Sequence, residues 1–320
     1  VSDTVHTAML LSVFSGIILT VIGCIGARQI LIWMQTPEDV LPLATTYLRI
    51  YFIGMTSMMV YNFGSAILRA VGDSRRPLYY LIVCCFINVF LDIFLVVGFN
   101  LGITGAALAT LFSQAVSAIL VIRALMKPEE MYQLEPKKIR LHRFLLFSIL
   151  TIGLPAGFQS MMYNIANIII QSSLNHLGTD AIAAYTAFGK MDAFYWMISG
   201  AFSVSIATFV GQNYGAGKMN RVRKGYHASL WTVGIWGLIV TLVFVFAPNT
   251  IATIFFHEPK AITIAVGYLI IIGFSEGFMC IELTTIGALS GLGMTRLCSI
   301  ISITFTSARI PLAIILGGLI

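Results

Sequence analysis

The sequence predicts an all-α, polytopic transmembrane bundle, and three observations predict it. Of the 320 residues, 58% are hydrophobic and only 10% are charged; a soluble domain carries roughly 25% charged residues. The apolar residues fall in blocks of about 20, the length that crosses a hydrocarbon core of about 30 Å. Short polar clusters separate the blocks and hold most of the Lys and Arg. A soluble helical core is excluded, because too few charged residues remain to cover a water-facing surface. The net charge of +6 does not point to nucleic acid. The basic residues sit in loops between spans and not along one face. The lipid bilayer is the partner this composition calls for.

Nine spans are expected, at about 8–26, 44–68, 78–98, 103–124, 144–173, 181–210, 227–247, 262–290 and 298–320. Turn signals punctuate them, among them Thr36-Pro37-Glu38-Asp39, Gly72-Asp73-Ser74 and Asn100-Leu101-Gly102. The longest polar stretch, 126–143, is read as a cytoplasmic linker. It divides an N-terminal lobe, 1–125, from a C-terminal lobe, 144–320. The five cysteines lie in or beside apolar spans without metal-ligand spacing, so they are read as packing residues. No cleavable signal pattern is visible at the start.

Orientation follows from charge. The loops after the second, fourth, sixth and eighth spans hold fourteen Lys and Arg, whereas the other loops hold only Arg28 and Lys260. The positive-inside rule therefore places the even-numbered loops in the cytoplasm. A multi-pass location in the cell (plasma) membrane is expected.

The chain also repeats itself. A shift of 221 residues brings His6 onto His227, Gly16 onto Gly237, Tyr47 onto Tyr268, Leu68 onto Leu289, Gly72 onto Gly293 and Arg75 onto Arg296. Six spans lie within one period, so both copies share an orientation. An axis along the membrane normal is expected to relate them. The first copy lacks counterparts of the two spans that precede the second copy. The second lacks a counterpart of span 103–124. Nine spans thus read as part of a 6 + 6 arrangement, and the gene is expected to encode more than this chain.

Val210-Gly211-Gln212-Asn213-Tyr214-Gly215-Ala216-Gly217-Lys218 invites comparison with a phosphate loop but fails it. Gln212 stands where the first Gly belongs, and Met219 follows the Lys in place of Ser or Thr. At an intramembrane enzyme site a metalloprotease pair would be expected, but His257-Glu258-Pro259 lacks a second His. An enzyme or a channel is therefore disfavoured.

Taken in order, several motifs resemble the multidrug and toxic compound extrusion (MATE) transporters. Leu68-Arg69-Ala70-Val71-Gly72-Asp73-Ser74 with Pro77 resembles the family's signature after its fourth helix. Asn88 with Asp92 resembles its fifth-helix motif, and Gly102, Gly105-Ala106-Ala107 and Ala109-Thr110 resemble the start of its sixth. Gly153-Leu154-Pro155 resembles its bent seventh helix. Leu177-Gly178, Ala183-Ala184-Tyr185 and Val210 to Gly217 resemble its eighth, and Arg309-Ile310-Pro311 its eleventh. The resemblance implies twelve helices in two lobes, of which the first two and the last are missing here. It further implies a secondary antiporter, expected to be monomeric and without an organic cofactor. Such a protein exports small cationic or amphipathic compounds in exchange for H⁺ or Na⁺. A lipid-linked sugar flippase of the same superfamily is the alternative. It would be expected to place more cations in its cleft.

Charged groups within a span cost several kcal/mol unless paired or hydrated, so each is a candidate for function. Asp92 with Asn88, four residues apart on one helix face, is the expected site of the coupling ion. Sodium is a second possibility there through the same oxygens. Glu276 and Glu282, six apart and so on different faces, are cleft candidates together with Lys190, Asp192 and Arg309. Pro155, with Gly153 just before it, is the expected hinge, because an internal proline removes a helical hydrogen bond and kinks the span. His6 and His227 are read as interfacial.

Overall fold

The computed structural model describes residues 2–34, 36–127, 132–174, 179–256 and 259–317. All nine expected spans are helical, in the order α1 (Ser2–Trp33), α2 (Leu41–Ile53), α3 (Met55–Ala70), α4 (Arg75–Asp92), α5 (Gly102–Leu125), α6 (Arg143–Leu174), α7 (Thr179–Gly215), α8 (Met219–Phe246), α9 (Pro248–Phe255), α10 (Pro259–Gly291) and α11 (Thr295–Gly317). Among the described residues, seven helices are long and apolar enough to cross a membrane, eight if one bent pair counts as a span.

The structure differs from expectation at four places. The second span is broken at Gly54 into α2 and α3, with a bend of 40°. There an added Cβ would meet Gln114 Oε1 at 2.6 Å, so a larger residue would displace the end of that α5 side chain. The third span ends in a π-helical turn, Ile93–Gly98, directly after Asp92. Pro248 opens a separate short helix, α9, that no expectation covered; proline suits a first helical turn because its missing N–H has no partner there anyway. The ninth span, α11, is helical but is not among the seven long apolar helices. It carries Arg296, Arg309 and a run of Ser and Thr.

Two compact units divide the chain between Ile149 and Leu150, inside α6 and not at the linker itself. In the first unit α1 packs on α2 and α3, and α5 packs on α2, α3 and α4. Its core joins Val5, Met9, Val60, Leu68, Val121 and Leu125 to Tyr132 and Leu134 of the linker. The expected linker is thus built into the first unit. His6 is 2% exposed. Its Nδ1 lies 2.7 Å from the Ser2 carbonyl, and its Nε2 accepts the backbone N–H of Glu135 at 3.0 Å. The Leu134 N–H caps the Leu125 carbonyl at 2.7 Å, and His142 pairs with Asp3 at 3.3 Å. The ring of His6 thus has a structural role as well: it fastens a strap, 132–142, across the end of the unit.

In the second unit α10 is central and packs on α7, α8, α9 and α11. Its contact with α7 is the most extensive. Gly287 and Gly291 on α10 face Ser203 and Ala207 on α7, where an added Cβ would come within 2.4 and 2.5 Å of backbone oxygens. Without a hydrophobic drive between helices in lipid, such small-residue seams supply the packing.

The repeat is visible in three dimensions, unit by unit. After α3, Gly72 (φ 96°) ends the helix with Gly72 N–H bonded to Arg69 O and Asp73 N–H to Leu68 O. After α10, Gly293 (φ 80°) ends it with bonds to Ser290 O and from Met294 N–H to Leu289 O. Each residue sits 221 positions from its counterpart. This cap uses a left-handed residue, hence glycine, to satisfy the last carbonyls. Gly16 crosses the backbone of Thr56, and Gly237 crosses Gly277, again 221 apart. Thr20 Oγ1 donates to Phe52 O at 2.8 Å, and Thr241 Oγ1 donates to Gly273 O at 2.7 Å. At one crossing the sizes are exchanged. Gly23 receives the ring of Phe52, whereas Phe244 packs onto Gly273.

Candidate functional site

Each unit carries its own cluster of polar groups at membrane depth. In the first unit a cavity of about 330 Å³ is lined by Tyr61, Asn62, Cys84, Asn88, Gln114 and neighbours on α3, α4 and α5. Asn88 lines it and Asp92 does not. Asn88 Nδ2 and Asp92 Oδ1 are buried and without a hydrogen-bond partner. The support expected from Asn88 for the Asp92 carboxyl group is therefore not made through that amide nitrogen. Asp92 sits at the junction where α4 gives way to the π-helical turn. Such junctions shift the register of the side chains that follow and occur often at functional sites.

The second unit brings together more of the candidates. Asp192 on α7 and Glu276 on α10 meet across the tight seam, their carboxyl groups within interaction range of each other. Glu276 is 4% exposed. Asp192 Oδ2 accepts the indole N–H of Trp196 at 2.9 Å, while Asp192 Oδ1 and Glu276 Oε2 are buried without a partner. Tyr195 Oη donates to the Glu276 backbone carbonyl and lies 3.0 Å from Cys280 Sγ. These bonds fix the helix backbone beneath the carboxyl group.

A cavity of about 430 Å³ opens on this pair, lined also by Tyr163, Asn167, Tyr185, Tyr268 and Arg309. A second hollow of about 560 Å³ adjoins it. It shares Tyr163, Trp196, Met279 and Arg309 and adds Gln159, Asn164 and Glu282. The Arg309 guanidinium lies over the Tyr163 ring, 5.6 Å from its centroid, a cation–π geometry. Tyr163 also packs on Trp196 at 5.8 Å, and Tyr185 on Tyr268 at 6.2 Å.

The sequence candidates therefore separate. Asp192 and Glu276 form one site, Arg309 reaches both hollows, and exposed Glu282 lines only the larger. The side chain of Lys190 lies outside the described residues. Pro155 stands inside an unbroken α6, and open space surrounds Gly153. The aromatic lining was not foreseen. Trp196 had a signal, since it lies one helical turn after Asp192. Tyr163, Tyr185 and Tyr268 had none, because only tertiary packing joins them.

Two of the groups this arrangement gathers, carboxylates and aromatic faces, suit a cation. Buried carboxyl oxygens without partners can take up a proton or a small hard cation, and aromatic faces attract larger organic ones.

Comparison with known proteins bears on the family of the chain. The family model described as MatE matches residues 1–94 and 155–315. The probable multidrug resistance protein YoeA of Bacillus subtilis is 30% identical over 269 residues, 82% of this chain and 58% of that protein. The probable multidrug resistance protein NorM of Thermotoga maritima is 30% identical over 97% of this chain and 68% of its own length. A protein of Shewanella oneidensis named FAD transporter is 26% identical over 85% of this chain and 61% of its own. The chain spans about three fifths of the length of the first relatives it matches. Among solved structures, a MOP superfamily transporter from Pyrococcus furiosus covers 99% of this chain and 72% of its own, with a TM-score of 0.88 at 21% identity.

Proposed function

Given that the chain belongs to the MatE family, we propose that it forms most of a secondary active exporter. The cargo is a small cationic or amphipathic compound. It leaves in exchange for H⁺ or Na⁺, through alternating access in the cell membrane, and a single copy suffices. The observation that carries this reading is the Asp192–Glu276 pair, buried, short of hydrogen-bond partners and opening on an aromatic-lined cavity. When the pair is ionised it attracts a cationic cargo. When it holds a proton or Na⁺ that attraction is lost, so ion and cargo compete for one charge. Asp92 in the first unit is a second ion site, and Glu282 helps to orient cargo in the larger hollow.

The test uses the full-length protein in proteoliposomes. Glu276→Gln is expected to lower ion-driven export of a cationic dye at least tenfold while the protein still inserts and folds. Asp92→Asn is expected to reduce the same readout. If both variants pump against a gradient with normal ion dependence, these carboxylates do not couple transport.

Arg309 favours one other reading, a cargo that also carries negative charge. Under it, Arg309→Gln impairs transport of an anionic flavin nucleotide more than that of a cationic dye. Equal impairment of both would leave Arg309 as a packing group on Tyr163.

A further inference from the structure

We propose that the cytoplasmic end of the first unit holds the phosphate of an anionic phospholipid. A cavity of about 270 Å³ lies between the start of α4 and the end of α5, lined by Arg76, Tyr80, Leu120, Arg123, Ala124 and Lys127. Three cations converge on it. Arg76 is fixed in place, its Nε 3.0 Å from Asp73 Oδ2 and its Nη1 3.4 Å from Tyr132 Oη. Tyr132 is held in turn by the strap that packs into the core. Arg123 is exposed in the last turn of α5, and Lys127 is exposed two residues past the end of that helix; both line the cavity. Neither makes an ion pair among the described residues. Among the described residues, Asp73 therefore offsets one positive charge of three. Like charges lining one small cavity repel one another, so the arrangement is relieved by an anion.

The location supplies the anion. The charge bias places the loop 71–74 and the segment after Leu125 on the cytoplasmic side, at the ends of two spans. That is the level of phospholipid headgroups, and basic pockets between span ends at that level bind anionic ones. Tyr80, with its hydroxyl on an apolar body, suits the same boundary. The three residues offer a phosphate the guanidinium fork of Arg123, the ammonium of Lys127 and the remaining N–H groups of Arg76. This inference does not depend on the transported compound.

The experiment is native mass spectrometry of the full-length protein, released from nanodiscs of phosphatidylglycerol and phosphatidylcholine mixed equally. The wild type is expected to retain one phosphatidylglycerol in preference. Each basic residue beside an anionic lipid surface contributes a factor of about five. Arg123→Gln with Lys127→Gln should therefore lower that retention roughly thirtyfold. Lys137→Gln with Lys138→Gln removes the same charge from the linker and should not. Equal loss in both pairs would mean diffuse attraction and overturn the site. Retention unchanged in the first pair would overturn it too, whether Glu129 and Glu130 or another segment of the protein fills the pocket. Displacement of the lipid by millimolar inorganic phosphate would assign the pocket to free phosphate and contradict the lipid assignment.

Discussion

At the scale of single residues, the second unit turns on side chains whose size or charge admits little change. Gly237 is one. An added Cβ would lie 3.0 Å from Gly277 Cα and 3.3 Å from its carbonyl oxygen, so backbone must move. Gly237→Ala is expected to destabilise the protein by about 1–3 kcal/mol, read as a lower Tm in detergent. Gly234→Ala, three residues earlier with nothing within 4 Å, should be neutral or slightly stabilising, because alanine is the better helix former. A Tm that falls equally in both would remove the close crossing as the cause. Glu276 and Glu282 make the same point about charge. Their six-residue spacing placed them on different faces, but sequence offered no means to tell which face was buried. That depended on Asp192, which lies on another helix.

At the scale of elements, the helices, the glycine caps and the repeat were legible because they follow from local chemistry. Gly72 and Gly293 end α3 and α10 in the same way because only glycine takes that left-handed position without strain. The break at Gly54, the π-helical turn after Asp92 and the strap on His6 were not legible. The strap depends on a bond between His6 and Glu135, 129 residues apart, and neither a π-helical turn nor a mid-span break has a clear local sequence signal. The strap makes a specific prediction. His6→Leu keeps the volume but cannot accept the Glu135 N–H, so the linker should come loose. Trypsin should then cut at Lys137, Lys138 or Arg140 several-fold faster in inside-out vesicles, while His6→Gln, which can accept that bond, should resist. Equal cleavage rates in wild type and His6→Leu would show that the ring is incidental. Pro155 belongs to this scale as well. Its helix lacks the backbone hydrogen bond that Pro155 cannot donate, six residues past Ile149, where the first unit ends, and a Cβ added at nearby Gly153 would meet nothing within 4 Å. Pro155→Ala is expected to fold normally and to transport at a markedly lower rate. An unaltered rate would argue against a hinge.

At the scale of the whole molecule, two similar units carry dissimilar chemistry. The repeat preserves caps, crossings and the Thr20 and Thr241 hydrogen bonds, yet Asp92 corresponds to Ala313 and Arg309 to Asn88. Packing alone does not require that asymmetry; a division of labour between units would account for it. Under the proposed function, ion and cargo compete for the Asp192–Glu276 charge, so export should need an ion gradient and nothing else. The direct measurement is accumulation of a cationic amphipathic dye by proteoliposomes of the full-length protein, under an imposed H⁺ or Na⁺ gradient. The account predicts accumulation that follows one of the two gradients, reverses when that gradient is reversed and collapses with the matching ionophore. Equal accumulation with no ion gradient would contradict it.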